Sequence, residues 1–159
     1  MENSRFLEIK DCQWEGYRPC VDYGAWRVAV LRYIPELEVD RIDHLERHLE
    51  TDEVFVLLAG RCILLVGEGD SGMERIQAVE MLPEKIYNIK KGAYHSHTLS
   101  QDAVVLIVEN RDTGAANSEQ IPLPEDQRRE IIRQTQSLWG ENSPPESLET
   151  LRGALPGDS

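Results

Sequence analysis

Residues 43–60 read Asp43-His44-Leu45-Glu46-Arg47-His48-Leu49-Glu50-Thr51-Asp52-Glu53-Val54-Phe55-Val56-Leu57-Leu58-Ala59-Gly60. The run from Val54 to Ala59 is apolar and rich in β-branched and aromatic residues, so 53–59 reads as a strand. Before it, in extended chain, His44, Glu46 and His48 share one face by the two-residue period. Glu53 has the opposite parity and joins that face only if a turn at Glu50-Thr51-Asp52 restarts the count. Those three residues are turn-compatible.

A second segment, Lys90-Lys91-Gly92-Ala93-Tyr94-His95-Ser96-His97-Thr98, places His95 and His97 on one face, with Gly92 allowing a tight approach. The four histidines of the chain all fall in these two segments, each bordering a predicted strand.

Working outward, 26–33, 62–66, 74–80, 85–89 and 103–108 also read as short strands. They are separated by Ala59-Gly60-Arg61, the glycine-rich run at 67–72, Pro83 and Lys91-Gly92. Evenly spaced strands without interleaved helices predict an all-β antiparallel sandwich or barrel. Residues 1–25 are broken by Gly16, Pro19 and Gly24 and read as irregular, and 111–123 reads as a loop. From Glu125 to Trp139, Ile131, Ile132, Thr135, Leu138 and Trp139 form one stripe of an amphipathic helix, with Pro124 at its start and Gly140 at its end. Residues 141–159, with three prolines and few large apolar side chains, are expected to form a flexible tail that proteolysis trims.

The two histidine segments resemble the cupin superfamily. In its first motif, G-x5-H-x-H-x(3,4)-E-x6-G, the second His falls on His48, the Glu on Glu53 and the closing Gly on Gly60. The first His falls on Glu46 and the opening Gly on Asp40. In its second motif, G-x5-P-x-G-x2-H-x3-N, the central Gly and the His fall on Gly92 and His95, while Glu84, Lys90 and Leu99 depart from the pattern. The resemblance covers residues 26–110. It implies a jelly-roll barrel, followed here by the C-terminal helix, with His48, Glu53 and His95 as ligands of a divalent metal. Two imidazoles and a carboxylate suit Fe(II) and accept Mn, Zn or Ni. Glu46 and His97 are the candidates for a fourth ligand or for the acid–base group beside the metal, with His44 behind them. The alternative reading is that the histidines are hydrogen-bonded polar groups of the interior.

Composition bounds the rest. The 159 residues fit one domain, and 29 acids against 17 bases leave a net charge of −12, spread over the chain rather than held in its tail. That surface repels phosphate backbones and anionic lipid, so neither nucleic acid nor membrane is an expected partner. Met-Glu-Asn-Ser-Arg lacks the layout of a signal peptide, and Cys12, Cys20 and Cys62 make no metal motif or disulfide framework. A reducing, cytoplasmic setting is expected. Strands 53–59 and 103–108 are apolar on both faces. A barrel interior covers one face, so a homodimer is expected to cover the other, with the C-terminal helix and the N-terminal segment as intrachain alternatives. The functional expectation is a metal-binding cupin that isomerises or oxidises a small polar molecule, sugar-like or an organic acid. The competing class is a non-catalytic binding module with or without metal.

Overall fold

The structure is a computed structural model that describes residues 5–69 and 73–140. The expected flexible tail at 141–159 and the tip of the glycine-rich turn lie outside the described residues. Among the described residues, ten strands form two antiparallel five-stranded sheets. The first sheet runs β1 (Tyr17–Tyr23), β2 (Trp26–Arg32), β9 (Val104–Asn110), β4 (Glu53–Ala59), β7 (Tyr87–Ile89). The second runs β10 (Ser118–Pro122), β3 (His44–His48), β8 (His95–Leu99), β5 (Cys62–Glu68), β6 (Arg75–Glu80). One helix, α1 (Glu125–Trp139), follows. No helix among the described residues is long and apolar enough to cross a membrane.

Between the sheets, Ala29, Leu31, Phe55, Leu57, Cys62, Leu64, Leu99, Val105 and Ile107 form one buried cluster. β5 shows why its sequence is a continuous apolar run. Cys62 and Leu64 face this interior, while Ile63 and Leu65 face a second cluster with Leu45, Ile76, Leu123 and Ile131 of α1. Both faces of that sheet are therefore covered. The helix is anchored by polar contacts as well. The Gln134 amide accepts from Ala78 N (2.7 Å) and donates to Ile76 O (3.1 Å), occupying the open edge of β6. The Arg61 guanidinium donates to the carbonyls of Leu138 and Trp139, each at 3.3 Å, where the helix leaves its last oxygens without partners.

Three expectations are corrected. Residues 1–25 are not wholly irregular, because β1 pairs along β2 from Tyr17–Leu31 to Tyr23–Trp26. Its signal is hidden by Pro19 and by a bulge between Pro19 and Val21, both of which an edge strand tolerates. Residues 111–123 are not simply a loop, since β10 pairs with β3 from Ser118–His48 to Pro122–His44. And α1 does not cover the outward face of β4 and β9. It packs on the second sheet, leaving the rows Val28–Val108–Val54 and Val30–Leu106–Val56 on the far side of the molecule.

Two glycines hold tight turns, Gly60 after β4 and Gly92 ahead of β8. At Gly60 (φ +67°) a β-carbon would lie 2.6 Å from the Ala103 backbone. Gly92 (φ +83°) turns the chain into β8 and donates its N–H to the His48 carbonyl at 2.8 Å.

Candidate metal centre and its cavity

Three strands from both sheets deliver the central residues. His48 ends β3, Glu53 begins β4 and His95 begins β8. The turn at 50–52 does restart the count. Its Thr51 hydroxyl accepts from Asn110 N (3.1 Å), and Asp52 accepts from Asn88, Lys90 and the Lys91 backbone at 2.8–3.0 Å. Glu53 thereby faces inward with His48. All three side chains are buried, with Glu53 6% and His95 2% exposed.

One oxygen, Glu53 Oε2, lies 3.2 Å from His48 Nε2 and 2.7 Å from His95 Nε2. The ligating atoms of the three residues all lie within 4.8 Å of one another. Donor atoms about 2.1 Å from one ion and at right angles lie about 3 Å apart, so the spacing suits a shared divalent ion. The outer ring nitrogens are also engaged. His95 Nδ1 donates to the Ala93 carbonyl (3.0 Å) and His48 Nδ1 bonds Ser118 Oγ (2.8 Å), while both Nε2 atoms face Glu53. Partners of this kind fix ring orientation and tautomer, as metal-binding histidines require.

Burial alone would raise the Glu53 pKa. Hydrogen bonds from both histidines outweigh it and hold the carboxyl at about 2. The same contact raises His48 above its ordinary value against the opposing effect of burial. The triad is therefore an anion held between two imidazoles, an electrostatic match for a cation.

Two of the triad, His48 and Glu53, line a cavity of about 700 Å³. Glu46 and His97 line that cavity but stand outside the three-residue group. His44 also lines the cavity but is exposed and is bound to Asp43 at 2.6 Å. His97 packs 6.0 Å from the Phe55 ring, its Nδ1 buried without a partner, and burial lowers its pKa to about 4. It is a neutral imidazole at physiological pH.

The structure adds residues that the sequence reading passed over. Glu109 sits one position beyond the Val54–Val108 pair, placing it beside Glu53 across the ladder. Its carboxylate accepts from the Tyr17 hydroxyl, and burial, the largest influence, raises its pKa. Ser118 arrives on the unforeseen β10. No local motif marks Tyr17 or Ser118. Glu109 could have been found as the acid in the inward parity set of an otherwise apolar strand, Val105-Ile107-Glu109 (all buried).

No family model and no curated protein matches the sequence. Among solved structures the chain is similar to a cupin-2 domain containing protein from Shewanella frigidimarina, at 18% identity over 60% of this chain and 80% of that one, with a TM-score of 0.45. It is also similar to oxalate decarboxylase of Bacillus subtilis, at 17% identity over 61% and 24% of the two chains, TM-score 0.46. A TDP-quinovose 3,4-ketoisomerase from Campylobacter jejuni shares 16% identity over 67% and 74%, TM-score 0.46. The chain thus spans about a quarter of the decarboxylase and most of the other two.

Proposed function

We propose that the chain is a metal-dependent isomerase of a small, neutral, polyhydroxylated molecule. The observation that carries this reading is the single Glu53 oxygen shared by two oriented imidazoles on the wall of a cavity that also holds proton-carrying groups. A divalent ion on His48, Glu53 and His95 would supply Lewis acidity toward a substrate oxygen. Glu46 and His97 are then the acid–base candidates. Glu46 offers a carboxylate, and the neutral ring of His97 offers one donor and one acceptor nitrogen. The Glu109 carboxyl, raised by burial and bonded to Tyr17, is a third group able to hold a proton in the same space.

The lining charge favours the sugar-like over the organic-acid substrate. Glu36, Asp43, Glu46, Glu53 and Glu109 face the cavity with Arg41 as its one cationic side chain besides histidine. Away from the ion, carboxylates and phosphates would meet Glu36, Asp43 and Glu46, while hydroxyl groups find abundant acceptors. The second reading, a binding module without metal, is favoured by the fact that His48 and His95 both already have a partner in Glu53.

Metal analysis of protein purified without chelator, compared with the His48→Ala/His95→Ala double variant, separates the two. The proposal requires stoichiometric metal in the first and little in the second; equal contents remove the metal from the function. Metal-loaded protein is then incubated with neutral aldoses and ketoses in deuterium oxide. Incorporation of deuterium beside the carbonyl carbon supports the isomerase. Binding without exchange leaves the module.

For partners, we propose that a second copy of the chain covers the outward valine rows of the first sheet, where Leu58, Trp26 and Val21 are exposed.

A further inference from the structure

We infer that Cys12 and Cys20 form a peroxide-sensitive dithiol, a modification site outside the barrel that closes to an intrachain disulfide. The two sulfurs lie 3.9 Å apart although eight positions separate them in sequence. Two features of the fold bring them together. The bulge in β1 pairs Pro19 with Ala29 and Val21 with Val28, which leaves Cys20 as the extra, unpaired residue. Ahead of β1, the chain is folded back along β2 by Arg32. Its side chain donates to the Cys12 carbonyl (2.6 Å) and its backbone N–H to the Gly16 carbonyl (3.1 Å).

Both thiols are half-buried, close enough to meet and open enough to be reached. Joining them requires the sulfurs to approach to about 2 Å. Side-chain rotation and the stretch at 8–16, which carries no strand or helix, can supply that movement. A metal reading fits less well. Two thiols fall short of the four ligands a structural zinc site uses, and among the described residues the only metal-competent group is the histidine–glutamate triad. Cys62, buried on β5 with its thiol pushed upward by burial, is shielded from the same chemistry.

The oxidant is a hydroperoxide. The Cys12 thiolate attacks one peroxide oxygen, the O–O bond breaks, and hydroxide leaves to take up the proton released by the thiol. The resulting sulfenic acid is attacked by the Cys20 sulfur, which gives up its own proton. The S–O bond breaks and water departs. With hydrogen peroxide, two thiols become one disulfide and two waters are formed, two electrons passing from sulfur to peroxide. Burial, then the hydrogen bond to Cys12, raises the Cys20 thiol to about 11. The bond would fasten the segment ahead of β1 to an edge strand whose Tyr17 reaches Glu109 in the cavity.

The test treats the full chain with stoichiometric hydrogen peroxide, quenches with an alkylating agent, and reads intact mass and peptide maps. The expected result is a loss of about 2 Da in the single chain. A Cys12–Cys20 cross-linked peptide appears, reduction reverses the change, and Cys62 is alkylated only after unfolding. Cys12→Ser and Cys20→Ser each lose the cross-link. The inference is overturned if both cysteines remain alkylatable after peroxide, or if the disulfide joins two chains or engages Cys62. None of these readouts depends on metal or on turnover.

Discussion

Glu53 is the residue on which the site turns, since both imidazoles address one of its oxygens. Glu53→Gln keeps the shape and removes the charge. We expect metal content after dialysis to fall about tenfold or more, as measured by elemental analysis. Unchanged content would show that Glu53 is not a ligand. His97 gives a prediction in pH. Its folded pKa of about 4 lies below the ordinary value of 6.5, so the native state binds fewer protons than the unfolded chain between these limits. The stability tied to this group is fully present above pH 6.5 and is lost as pH falls toward 4, by about 3 kcal/mol over the window. Glu53 acts lower, between its ordinary 4.5 and about 2, so the two effects separate. In chelator-treated protein, denaturant unfolding from pH 7 to 4 should show this loss in wild type and much less of it in His97→Phe. Parallel curves would contradict it.

At the scale of elements, β10 matters beyond its five residues, because its Ser118 holds the His48 ring. Ser118→Ala should leave the fold intact and weaken metal binding about tenfold, read by competition with a chelating dye. An unchanged affinity would make that hydrogen bond incidental. β10 also shows where sequence reading stops. Ser118-Glu119-Gln120-Ile121-Pro122 carries a single large apolar side chain, and β1 is interrupted by Pro19 and its bulge. Edge strands like these take their stability from one neighbour and leave little pattern in the sequence. Strand β5 was legible because burial on both sides imposes a near-continuous apolar run, and β4 and β9 because their sequences are apolar on both faces although the chain buries only one of them. His48, Glu53 and His95 could be grouped because the turn at 50–52 and Gly92 announce themselves locally. Tyr17, Glu109 and Ser118 reach the cavity through long-range pairing, which no local spacing encodes.

For the whole molecule, the decisive asymmetry is that α1 covers the outer face of one sheet only. The valine rows of the other sheet are the expected contact between two copies of the chain. Light scattering at micromolar concentration should give twice 18.1 kDa, and Val56→Glu should yield monomer or aggregate. A wild-type mass near 18.1 kDa would assign the cover of that face to the chain's own N-terminal segment.

The triad takes His48 and His95 from one sheet and Glu53 from the other. Any ion held there would therefore also act as a rivet between the two halves of the sandwich. Loading the site would then also keep the two sheets from sliding apart, and unfolding would become harder as the site fills.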